Sequence, residues 1–260
     1  MGTNVILELG SPQVEKGVRM QHLWIDGFEG RRVPGLVLTP EDARGQRPAV
    51  MLGHGAGGSK DEEQMRRIAR WLVHREGWAV AIIDGPVHGE RRRTDDGGQV
   101  GQVARQALVD RTVYEAMAVD WQRTVDACGE LPDVGNQRIA YLGFSMGTVL
   151  GVPAVAAEPR FSCAVFAIGG IMDHRQPNLL SDAASRIERP VLMINQTEDE
   201  IFSREAAFRL YDALPGPKRV FFHPGGHSAV PREAMERARE FLHAHLAGEG
   251  AESGAPPGAW

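Results

Sequence analysis

Short apolar runs alternate with amphipathic stretches along most of the chain. Eight runs have strand length: Val18 to Ile25, Val33 to Leu38, Ala49 to Leu52, Trp78 to Ile83, Ile139 to Phe144, Cys163 to Ile168, Val191 to Asn195 and Arg219 to Phe222. Several, such as Trp78 to Ile83, lack a polar residue at every second position, and a strand apolar on both sides has to be covered on both. Between the runs, Asp61 to Arg75 sets Met65, Ile68, Ala69 and Leu72 three and four apart, which is one face of a helix. Val103 to Cys128 reads as a long helix broken near Arg111. The small-residue run after Phe144, then Arg204 to Leu214 and Arg232 to Leu246, read as further helices. This alternation predicts an α/β fold, with a mostly parallel sheet and helices on both faces. It is read as one domain over 1–247, followed by a loose Gly- and Pro-rich tail, 248–260.

Composition narrows the classes. With 260 residues and 42% hydrophobic content the chain is not a disordered polymer. A net charge of -5 argues against nucleic acid as a partner. No run approaches the roughly 20 apolar residues of a membrane helix, and no basic, then apolar leader opens the chain, so no membrane partner is expected and the cytoplasm is the default compartment. Cys128 and Cys163 form neither a CxxC pair nor a zinc-ligand spacing, which fits a reducing compartment. No metal and no organic cofactor is expected.

In a sheet of this kind ligands bind beyond the carboxyl ends of the strands. The Gly-rich segments at those ends are HGAGGS, DGPVHG, GFSMG, IGGIMD, NQTEDE and HPGGHS. The third belongs to Gly143-Phe144-Ser145-Met146-Gly147, a G-x-S-x-G between a strand and a helix. A nucleophile on so sharp a turn needs small flanks, and the following helix aims its N-terminus at a developing oxyanion. A serine hydroxyl needs a base. Of nine histidines, His227 follows two glycines in the loop before the last helix and is the choice, with His223 its nearest rival. The acid that orients the base is sought in the loop after Val191 to Asn195. Asp199 is the choice there, against Glu198, Glu200 and the more distant Asp173.

From about Val18 to Leu246 the sequence resembles the α/β-hydrolase superfamily, most closely esterases of the dienelactone-hydrolase and prolyl-oligopeptidase types. The order Ser145, Asp199, His227 matches that of the superfamily. Thr197-Glu198-Asp199-Glu200-Ile201 resembles its acid loop, with Gln196 in place of a Gly and Ser203 in place of a Pro. His54-Gly55-Ala56-Gly57-Gly58 resembles its oxyanion loop, which implies backbone donors at Ala56 and Met146 and a bracing role for His54. Asp84 to Arg91 resembles a loop beside the pocket. There His88 either lines the substrate site or pins the loop, and Arg91 to Arg93 either form a solvated face or meet a substrate carboxylate. His88, Arg91 and Met172 are the candidate substrate contacts, with Met146, Ile171 and Phe202 as further apolar lining.

The resemblance implies an α/β-hydrolase fold with an eight-stranded type of sheet. Some twenty residues between Gly170 and Pro190 leave room for a minimal cap only, and 89–119 is the expected partial lid. It also implies a serine esterase acting on small-molecule esters through an acyl-enzyme. The same three residues serve a peptidase, amidase, thioesterase, lactonase or acyltransferase equally well. A non-catalytic receptor on this fold, and a homodimer, stay open as alternatives.

Overall fold

The computed structural model describes residues 7–92, 106–174, 176–228 and 230–246. One ten-stranded sheet runs through it. Its strands are β1 (Leu7–Leu9), β2 (Gln13–Glu15), β3 (Val18–Asp26), β4 (Arg32–Pro40), β5 (Arg47–Gly53), β6 (Ala79–Ile83), β7 (Val134–Phe144), β8 (Phe161–Ala167), β9 (Val191–Gln196) and β10 (Lys218–His223). The order is β1-β3-β4-β6-β5-β7-β8-β9-β10, with β2 also on β3. From β6 to β10 every pairing is parallel, and the β1, β2, β3 and β4 end is antiparallel.

The eight strands expected from the apolar runs are all present. The two additional ones are three residues each and largely exposed, too short for alternation to reveal. Strand β7 begins five residues before its apolar run. Its early part carries Asn136, Gln137 and Arg138, and the register against β5 shifts between Arg47 and Ala49.

Helices cover both faces: α1 (Glu63–Glu76), α2 (Arg111–Gly129), α3 (Met146–Ala157), α4 (Pro177–Ala184), α5 (Arg204–Ala213) and α6 (Arg232–Leu246). The strand residues split by parity between two cores. Ala49, Met51, Ala79, Ala81, Ile83 and Tyr141 pack with α2, α3, α4 and α5. Val50, Leu52, Val80, Ile82, Ala140 and Leu142 pack with α1 and α6. This explains why the strands show no polar alternation: each side of the sheet faces its own core.

Local chemistry sets the helix ends. Helix α1 stops at Gly77, whose φ of 67° is left-handed and whose N–H bonds the Val73 carbonyl at 2.9 Å. The break foreseen near Arg111 is the start of α2, where the Asp110 carboxylate accepts from the Thr112 N–H at 2.9 Å. Between Gly170 and Pro190, where the sequence shows only that a large cap does not fit, lies α4. No helix among the described residues is long and apolar enough to cross a membrane.

Candidate active site

The carboxyl ends of β5, β6, β7, β9 and β10 open at one rim of the sheet. Strand β7 ends at Phe144 and α3 begins at Met146, leaving Ser145 to make the whole turn at φ 53° and ψ −111°. A non-glycine residue held there stores roughly 1–3 kcal/mol of strain, so neighbours must hold it. The Ser145 N–H donates to the Ala167 carbonyl at 2.9 Å, and the Tyr141 hydroxyl donates to the Gly147 carbonyl at 2.6 Å. The two motif glycines are steric necessities. A Cβ on Gly143 would come within 2.6 Å of the Gly147 carbonyl oxygen, and one on Gly147 would overlap the Gly53 carbonyl.

The expected base and acid meet this turn. His227 Nε2 lies 2.8 Å from Ser145 Oγ, and His227 Nδ1 lies 2.9 Å from Asp199 Oδ2. The Nδ1–H therefore donates to the carboxylate, and Nε2 is left to accept the serine proton. Asp199 is fixed in turn, because its Oδ1 accepts from the Ile201 and Phe202 N–H groups, both at 2.8 Å. Its side chain is buried, and the Phe202 ring lies 5.7 Å from the imidazole.

The competing acids do something else. Glu200 accepts from the His227 N–H at 3.0 Å, and Glu198 accepts from the Gly225 N–H. These backbone bonds hold both carboxyls below the usual glutamate range, for Glu198 after the larger effect of the Thr197 hydroxyl. Asp173 pairs with Arg209, and His223 sits buried at the end of β10.

The loop after β5 lies against the serine, and the loop after β6 braces it through hydrogen bonds. A Cβ placed on Gly55 would lie 3.8 Å from the Ser145 Cβ. The loops lock through two histidines. His54, from the loop after β5, accepts from the Gly85 N–H at 2.9 Å, and its Nδ1 donates to its neighbour's carbonyl, on Gly55, at 2.8 Å. His88, from the loop after β6, accepts from the Gly57 N–H at 3.0 Å, and its Nδ1 donates to the Pro86 carbonyl at 2.7 Å. Both rings are neutral in this arrangement. Burial, reinforced by His88, lowers the His54 pKa to about 4, and burial lowers that of His88.

Ala56 and Met146 line the same cleft as Ser145 and His227, a cavity of about 450 Å³. The three expected substrate contacts are absent from its described lining. His88 is buried and committed to Gly57 and Pro86. Arg91 turns inward to the buried Asp120 at 2.7 Å and the Asp84 carbonyl at 3.1 Å. Met172 lines an adjoining depression with Asp173, His174 and Arg209. His88 and Arg91 thus have their polar partners inside the protein, and Met172 packs half-buried against the core, facts invisible to motif spacing.

Of the expected partial lid, 93–105 lies outside the described residues, as does the 248–260 tail; Leu108 reaches the cleft. Sequence reasoning also passed over Glu62 and Gln64, which line the cleft from the start of α1. They lie in an ordinary helix start, and no motif marks them. Among the described residues, His22, Asp61 and Glu90 bring three potential metal-ligand atoms within 4.8 Å of one another. The buried Lys60 ammonium already bonds both of those carboxylates, at 2.6 and 2.7 Å.

A strand–serine–helix turn at the end of a parallel strand, with an imidazole and a carboxylate in line, defines a serine hydrolase of the α/β-hydrolase fold. The model of the dienelactone hydrolase family matches residues 33–238, and the chain belongs to that family. An uncharacterized protein of Mycobacterium tuberculosis is 26% identical over 238 residues, 84% of this chain and 77% of its own. A cold-adapted esterase from an Arctic intertidal metagenomic library superposes with a TM-score of 0.80 at 29% identity, over 91% of this chain and 98% of that one. An acetyl xylan esterase from Paenibacillus sp. R4 shares the fold, with a TM-score of 0.72 at 22% identity over 94% and 89% of the two chains.

Proposed function

We propose that the chain hydrolyses carboxylic esters of small molecules with Ser145 as nucleophile, His227 as general base and acid, and Asp199 as the carboxylate that orients the imidazole. The observation that carries this reading is the continuous line from Asp199 through His227 to the Ser145 oxygen, with contacts of 2.9 and 2.8 Å. His227 takes the Ser145 proton as Oγ attacks the ester carbonyl carbon. The tetrahedral oxyanion is held by the Ala56 and Met146 N–H groups, and a preorganised donor of this kind is typically worth about 3 kcal/mol. As the intermediate collapses, His227 passes the proton to the departing alkoxide oxygen, leaving an acyl group on Ser145. A water that gives its proton to His227 then attacks the acyl carbon. The carboxylic acid leaves, and the proton returns to Ser145.

Asp199 stabilises the transient imidazolium without taking up its proton. Every group used here comes from one chain, so the reading needs no second copy. Two free, buried cysteines fit a reducing compartment such as the cytoplasm.

A fluorophosphonate probe tests the assignment. Covalent labelling of the wild type and its loss in Ser145→Ala are expected, together with loss of hydrolysis across a panel of short acyl esters. Labelling that survives Ser145→Ala would move the nucleophile to another residue, and a wild type inert toward probe and panel alike would favour a non-catalytic role for this fold.

A further inference from the structure

The mechanism employs the backbone of the cleft and three side chains, and leaves one ionisable side chain of the lining without a task. The walls are largely apolar, formed by Met65, Leu108, Phe144, Ile168, Ile201 and Val230. Among the described lining residues there is no lysine and no arginine. Beyond the triad, the single charged side chain is that of Glu62.

Its neighbours in the chain are accounted for. Asp61 bonds Lys60 and Arg66, both at 2.6 Å, and Glu63 bonds Arg70 at 2.6 Å. Glu62, between them, has no cationic partner among the described residues. It stands at the N-cap of α1 with extended backbone, φ −61° and ψ 132°, and makes no side-chain cap bond. Its carboxylate turns instead toward the oxyanion loop. A Cβ on Gly58 would overlap Glu62 Oε2, and the Ser59 N–H is the backbone donor it meets. Half-buried, the carboxyl is shifted upward by desolvation, against the pull of Ser59. A carboxylate set among apolar walls keeps more of its field than one in bulk water.

We propose that Glu62 determines charge specificity in this cleft: it favours esters that carry a positive charge beside the scissile bond over neutral isosteres, and disfavours anionic ones. The inference rests on the ester-hydrolase reading and specifies its substrate class. It is opposite in sign to the alternative of a substrate carboxylate met at Arg91, whose guanidinium is bound to Asp120.

The test compares kcat/KM for three acetate esters of similar size in wild type, Glu62→Gln and Glu62→Lys. The alcohols are choline, the isosteric neutral 3,3-dimethylbutanol, and the anionic 3-hydroxypropanesulfonate. Wild type is expected to rank them cationic, neutral, anionic. Glu62→Gln should lower the cationic-to-neutral ratio about tenfold, and Glu62→Lys should invert the order; both effects should shrink in 0.5 M salt. A wild type that treats the three esters alike overturns the proposal, as does a fall common to all three in Glu62→Gln with the ratios kept. The latter would make Glu62 a brace of the Ser59 backbone only. A wild type that hydrolyses none of the three, the neutral ester included, would count against the esterase reading itself.

Discussion

In the proposed mechanism Ser145, His227 and Asp199 carry separate tasks, and each can be tested by its own substitution. Ser145→Ala is expected to reduce kcat by about 10⁴–10⁶ with the fold intact, read by ester hydrolysis alongside circular dichroism. The acids at 198–200 separate by what they hold. Asp199→Asn should cost about 10⁴ in kcat, because the ring loses its partner and its tautomer. Glu200→Gln removes only one bond to the His227 backbone and should cost far less, a contrast that steady-state kinetics on the pair resolves.

His54 gives a prediction for stability. Its folded pKa of about 4 lies below the 6.5 of an unfolded ring. Between those values the unfolded chain binds a proton that the folded chain refuses, so stability falls as pH drops from about 6.5 toward 4, by roughly 3 kcal/mol at the lower end. Urea unfolding at pH 7, 6 and 5 should show this slope, and His54→Gln should flatten it whatever its effect at pH 7. At this scale the sequence disclosed much. A hydroxyl on a Gly-flanked turn and an imidazole after two glycines are chemistry visible in one dimension. For His88, Arg91 and Met172 the sequence left the roles open, because the groups they meet, Gly57, Asp120 and the core, are distant in the chain.

Elements were legible where their burial is periodic. Helix α1 shows its buried stripe in the sequence, and its end is marked by Gly77. Gly77→Ala forces a Cβ onto a left-handed residue and should destabilise by about 1 kcal/mol, a modest fall in the urea midpoint. Gly147→Ala is a different case. The added carbon has no free space between the Gly53 carbonyl and α3, so a drop of several kcal/mol, or failure to accumulate as soluble protein, is expected; thermal unfolding of the purified variant measures it. Helix α4 escaped notice because eight residues with three buried positions make too short a stripe. The early part of β7 escaped because its exposed polar residues interrupt the apolar run that pairing with β5 continues.

Over the whole molecule, two cores on opposite faces of one sheet sequester both cysteines. Cys128 lies on the α2 side and Cys163 on the α6 side, and burial pushes each thiol up to about 12. Neither should react with a thiol reagent in the native protein, and both should react on unfolding in urea. The dose dependence of labelling should follow the loss of circular dichroism. The two-faced architecture was readable because fully apolar strands demand it. The inward turn of Arg91 was not, because it depends on which buried carboxylate the fold happens to bring alongside.

The turn after β9 and the loop after β10 are joined at more than the imidazole. The Thr197 N–H reaches the His223 carbonyl at 2.8 Å, the Glu198 N–H reaches the Gly225 carbonyl at 3.1 Å, and the glutamate carboxylates return the bonds to Gly225 and His227. Residues 196–200 and 223–228 thus behave as one part carried on two neighbouring strands. Grafted together onto a related scaffold they should arrive in working alignment; grafted singly, either would bring half of a clasp.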